Sequence, residues 1–128
     1  MYFVVYASKG LEFEFSKRSG RIWSLRLYLA PTFYKYFVSQ RSFRFDAFKG
    51  RLPKGLCGDW KLAKLIEQFK EYKAADVTNY DLARRGEALG LVVDPFLYQA
   101  KIEVPKLTVY VIFDPATKFL NSVLLAVR

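Results

Sequence analysis

The chain is predicted to fold as an α+β domain, in which a curved antiparallel sheet of about six to eight strands packs against two central helices. Three observations lead there. Residues 1–48 carry strand patterns separated by short turns. Residues 59–90 carry apolar side chains at helical spacing. Residues 97–127 return to strand patterns. The 128 residues fit one domain, 1–128, with enough apolar side chains for a core.

The elements follow in chain order. "YFVVYA" (2–7) is a continuous apolar run, expected as a strand buried on both faces. "LEFEF" (11–15) alternates, with Leu11, Phe13 and Phe15 on one face and Glu12 and Glu14 on the other. "RIWSLRLYL" (21–29) sets Trp23, Leu25, Leu27 and Leu29 against Ile22, Ser24, Arg26 and Tyr28. Two more strands are expected at about 33–38 and 42–48. The short links between these strands predict an antiparallel meander. "KGRLPKGLCGD" (49–59), with three Gly and one Pro, is a loop, and its core is 49–58. A helix is expected over about 59–73, capped by Asp59, with Leu62, Leu65, Ile66, Phe69 and Tyr72 as its stripe. A second is expected over about 79–89, capped by Thr78 with Asp81 and ended by Gly90. In 97–104, Tyr98, Ala100, Ile102 and Val104 form an inner face. Residues 107–113 are apolar on both sides and read as central. "DPAT" turns the chain into 118–127, closing a C-terminal hairpin.

Charge is unevenly placed. The net charge is +9. Residues 1–56 hold 11 Lys and Arg against three acids, a net of +8, whereas residues 57–128 hold 10 against nine, a net of +1. The first part also holds 14 of the 23 aromatic residues. A cationic, aromatic-rich half implies a polyanionic partner. The scarcity of Gln, Asn, Cys and Met, with no His, is the profile of a thermophilic protein. No apolar stretch is long enough to span a bilayer and no signal peptide is seen, so a cytoplasmic location is expected and no membrane partner.

Strand 33–38 breaks the simple pattern. One face would carry Phe33, Lys35 and Phe37, the other Tyr34, Tyr36 and Val38. Burying Phe33 and Phe37 would leave Tyr34 and Tyr36 at the surface, where a phenol stays solvated. The polar sheet face would then show Arg26, Tyr28, Tyr34, Tyr36 and Arg44. Turns and the loop would add Lys17, Arg18, Arg21, Lys49, Arg51 and Lys54. Such a surface would stack bases and hold a phosphate backbone.

Other chemistry has less support. Without His there is no Ser-His-Asp triad, Cys-His dyad or His-ligated zinc. Cys57 has no evident base, and it is the single Cys, so no internal disulfide forms. Glu12 and Glu14 lack a third metal ligand, and no cofactor is implied. Asp94, Gln99 and Lys101 are too closely spaced for a metal nuclease. Residues 78–91 resemble a helix-turn-helix, with Arg84 and Arg85 on its surface, but Pro95 stops a third helix. The glycines of an RRM motif are absent from 35–45.

The function expected is non-enzymatic binding of nucleic acid, single-stranded or weakly sequence-specific. A dimeric structural protein of viral or plasmid type, pairing through 107–113 and 118–127, is the alternative. A small metal-independent ribonuclease using Tyr110, Arg26 and Arg44 is the second.

Overall fold

A computed structural model describes residues 2–35, 40–71 and 76–128. Six strands form one antiparallel sheet: β1 (Tyr2–Tyr6), β2 (Leu11–Phe15), β3 (Ile22–Tyr28), β6 (Gln99–Val104), β7 (Leu107–Phe113) and β8 (Leu120–Val127). Their spatial order is β1-β2-β3-β8-β7-β6. Two three-stranded meanders thus meet along a seam where β3 and β8 pair antiparallel. A separate hairpin pairs β4 (Thr32–Lys35) with β5 (Ser42–Phe45). Two helices, α1 (Leu62–Gln68) and α2 (Thr78–Ala88), lie between the meanders in sequence. This is the expected α+β architecture. Among the described residues no helix is long and apolar enough to cross a membrane.

The register explains why the sheet has two unlike faces. One row reads Leu11, Leu27, Val123, Val111 and Ala100 across five strands. A second reads Val4, Phe13, Leu25, Leu125, Val109 and Ile102 across all six. Directly paired residues share a face, so this side is apolar from edge to edge. Between those rows, Glu12, Arg26, Leu124, Tyr110 and Lys101 align on the opposite side. The core packs on the apolar side, where Trp60, Leu65, Tyr80 and Ala83 close over Ala100, Ile102, Val111 and Val123. Tyr80 meets Tyr98 and Phe113 edge-on, both at 5.4 Å.

Several expectations change. The run at 2–7 was expected to be buried on both faces, but β1 is the edge of the sheet and much of it is exposed. Among the described strands it pairs with β2 alone, reached through a tight turn at Gly10. The strands at 107–113 and 118–127 were expected to offer a dimer edge. Instead β7 and β8 each have a strand on both sides, so their backbones are already paired.

Helix α1 starts three residues later than expected, and Asp59 does not cap it. The Trp60 carbonyl accepts the Leu120 N–H at 2.8 Å, which ties this residue to β8 before the helix can begin. Gly58 allows the close pass, since a Cβ there would lie 2.5 Å from the Leu29 carbonyl oxygen. Asp59 instead accepts the Cys57 thiol at 2.6 Å. The N-cap of α2 falls on Val77 rather than Thr78, with no side-chain cap, and just before it Asp76 Oδ1 accepts the Thr78 N–H at 3.0 Å and hydroxyl at 2.7 Å. Gly90 ends the helix in the left-handed region, at φ 74°, as its position implied.

In the small hairpin the expected parity is reversed. Phe33 is 66% exposed and Tyr34 half-buried. Phe33 lies opposite Arg44, and Tyr34 opposite Phe43. Thr32 sets this phase. Its hydroxyl donates to the Ala30 carbonyl at 2.9 Å and lies 3.2 Å from the Asn121 side chain, which turns Thr32 and Tyr34 inward. Tyr36, Phe37 and Val38 fall outside the described residues.

Candidate nucleic-acid interface

A cluster of accessible rings lies on β1 and β2, where alternation brings them onto the apolar side of the sheet. Tyr2 pairs with Phe15, Val4 with Phe13 and Tyr6 with Leu11. The Tyr2 and Phe15 rings stack with centroids 5.2 Å apart and planes 10° from parallel. Tyr6 meets Phe13 edge-on at 6.1 Å, and Phe13 and Phe15 lie 6.2 Å apart. The buried cluster beneath the helices draws on β6, β7 and β8 but not on β1 or β2. Tyr2 is therefore 42% exposed and Tyr6 51%, while Phe13 and Phe15 are half-buried.

Cations adjoin one end of this surface. Phe15 leads into a turn in which the Ser16 N–H donates to the Arg21 carbonyl and the Gly20 N–H to the Ser16 carbonyl, both at 2.9 Å. Gly20 takes the left-handed conformation that the turn needs, at φ 68°. Lys17, Arg18 and Arg21 are exposed on it, and so is Trp23 just beyond. Trp23 is the extra residue where the β2–β3 register shifts.

The other expected contact residues do not join them. Arg26 is half-buried in the middle of the opposite face, level with Glu12 on β2. Tyr28 was expected at the surface but is 1% exposed. Its ring stacks on Phe45 at 4.1 Å, and its hydroxyl donates to Glu12 Oε2 at 3.2 Å. Burial, then the charge of Glu12, holds the phenol pKa well above its usual value. The chain crosses back over this position, with the Phe48 N–H donating to the Tyr28 carbonyl at 2.7 Å and the Asp46 N–H to the Ala7 carbonyl at 2.9 Å. A segment that must seal Phe45 leaves no room for a solvated Tyr28.

Residues 46–48 meet the sheet beside Gly10 and Tyr28, at the end away from the Ser16–Gly20 turn. A five-residue strand spans about 17 Å. Lys49, Arg51 and Lys54, which follow this crossing, thus form a second cationic group rather than extending the first. All three are exposed. Lys54 pairs with Glu71, donates to the Gln68 carbonyl and sits 5.2 Å above the Phe69 ring. Arg44 is exposed on the small hairpin opposite Phe33, and Tyr34 lines that hairpin's inner side.

The catalytic candidates remain dispersed. Glu14 accepts the Ser24 hydroxyl at 3.2 Å. Among the described residues no group of three or more Cys, Asp and Glu could hold a metal ion. Arg26 and Tyr110 share a row but have Leu124 between them, and Arg44 sits on the separate hairpin. Asp94 spends Oδ1 on the Phe96 N–H at 2.9 Å. Sequence reasoning missed Tyr2, Tyr6, Phe13 and Phe15 as surface rings. Their signal was the strand order: a first strand joined by a tight turn to its neighbour becomes an edge when the C-terminal meander takes the other side of β3. No protein-family model, curated protein or solved structure matches this chain.

Proposed function

We propose that the chain binds single-stranded nucleic acid without chemical turnover, on the ring-bearing face of β1 and β2 beside the Ser16–Gly20 turn. The observation that carries this reading is the adjacency of the stacked Tyr2–Phe15 pair to exposed Lys17, Arg18 and Arg21. Rings accept any base by stacking, and cations on a turn reach phosphates without reading sequence. The excess of +8 in residues 1–56 supports the same partner class. This moves the contact surface from Tyr28, Tyr34 and Arg26 to the open hairpin.

Titration of labelled oligothymidylate and oligouridylate over a salt series tests it. Log affinity should fall linearly with log salt, and double-stranded competitor should be weaker. Salt-independent affinity would remove the proposal, and RNA is expected to stay intact throughout.

A second reading has its own observation. Tyr2–Tyr6 carries no charge and no Pro, and it lies at the sheet edge, which is the arrangement that invites pairing with another strand. Sedimentation at high salt would show a stable dimer if self-association is its role.

A further inference from the structure

A second feature lies on the same side of the sheet but under the helix-bearing half. Leu52, Pro53 and Leu56 of the connecting loop, with Leu65 and Phe69 of the first helical segment, stand off from the strands and leave a hollow of about 250 Å³. The sheet supplies its floor, with Val109, Val111 and Leu125 near the middle strands. Every described residue that lines the hollow is apolar. A dry apolar cavity of about 150 Å³ already admits a small hydrocarbon, so this one has room for more. Its rim differs in kind. The loop that forms the outer wall carries Arg51 and Lys54, both exposed, immediately before Leu52 and after Pro53. The Lys54 ammonium lies 5.2 Å from the centre of the Phe69 ring, and Phe69 lines the hollow.

The geometry points to a binding site for a free, single-chain anionic amphiphile: an alkyl chain in the hollow with its carboxylate or sulfate on Arg51 and Lys54. Among the described residues the lining offers no hydrogen-bond donor or acceptor side chain, which suits an apolar buried part of the ligand. Arg51, with Lys54 once it is shared with Glu71, selects the sign of the head group. Lys54 already holds Glu71, and an arriving carboxylate would share or replace that partner. Nothing in this inference depends on nucleic-acid binding, since the site lies beneath the loop rather than on the open hairpin.

The test is a titration with sodium decanoate below its micelle concentration, read by methyl NMR. Decanol and decylamine serve as the uncharged and cationic arms. Methyl shifts centred on Val109, Val111 and Leu125 are expected for decanoate, with decanol weaker and decylamine weakest. Arg51→Glu combined with Lys54→Ala should weaken decanoate about tenfold and leave decanol unchanged. Leu52→Trp, placed at the partly exposed mouth, should abolish binding of both without unfolding the core. The inference is overturned if decanoate leaves those methyls unmoved, if Leu52→Trp binds as tightly as the parent, or if the protein responds only to anionic vesicles and not to monomeric decanoate.

Discussion

The two halves of the apolar sheet face are built from the same kinds of residue yet meet different surroundings. On β6, β7 and β8 the rows end under Trp60, Leu65, Tyr80 and Ala83, and Val111 and Ala100 are sealed. On β1 and β2 the face continues as Val4, Phe13, Tyr2 and Phe15, which take no part in that buried cluster. The covered half belongs to residues with a net charge of +1, the open half to residues with a net charge of +8. Apolar alternation therefore marks a face as one that excludes water. What covers the face is decided by elements elsewhere in the chain.

Substitutions can break or sharpen that contrast. Leu65→Ala, in the covered half, should lower unfolding free energy by about 2–5 kcal/mol in urea melts, since a sealed site cannot fully collapse. Phe13→Ala should cost clearly less, and an equal loss would show that the open half is covered in solution. Next, replacing Tyr2 and Tyr6 together with Ala should weaken oligothymidylate binding by about 1–3 kcal/mol for each base that stacks, with little change in melting. A control on the covered side, Ile66→Ala at an exposed position of α1, should leave that affinity alone. Charge reversal at Lys17, Arg18 and Arg21 should lower the salt slope by about one for each phosphate that is no longer neutralised. The same reversal at Lys49 should do less if the two cationic groups act separately.

The smallest effect is a titration. Tyr28 and Tyr98 both hold their protons more tightly than a free phenol. Tyr98 is pushed up to about 12 by burial and by the nearby Glu87 carboxylate. A folded-state pKa above the unfolded value of about 10 means the contribution is complete below pH 10 and is lost as pH rises through the folded value. Phenolate absorbance should show Tyr28 and Tyr98 ionising only well above the range of a free phenol, together with unfolding. Ionisation of either at the pH of a free phenol would contradict its burial.

The fold was largely legible, and the placement of the candidate site's residues only in part. "LEFEF" announced its two faces because alternation is a local property, and Gly90 announced a left-handed helix end for the same reason. What escaped depended on distant partners. Nothing within residues 2–7 reveals that β1 is an edge, since that follows from β8 occupying the far side of β3. Likewise, the burial of Tyr28 depends on Phe45, well along the chain, and the late start of α1 depends on the Leu120 N–H. Thr32 reversed the phase of its strand through contacts with Ala30 and Asn121, where aromatic character alone favoured Tyr34 outward. Local chemistry was readable, and its orientation was settled by long-range pairing.

The β3–β8 seam carries a consequence for assembly. Each meander closes through short turns, so its pairings form between near neighbours in the chain. At the seam Leu27 faces Val123, and most of the sequence must be brought round before one bond is gained. Chain closure of that length disfavours early pairing. The two three-stranded units are thus expected to organise first and to dock afterwards. Stopped-flow refolding should find a side-chain truncation on β1, inside an early unit, slowing the rate, whereas Val123→Ala at the seam should chiefly hasten unfolding.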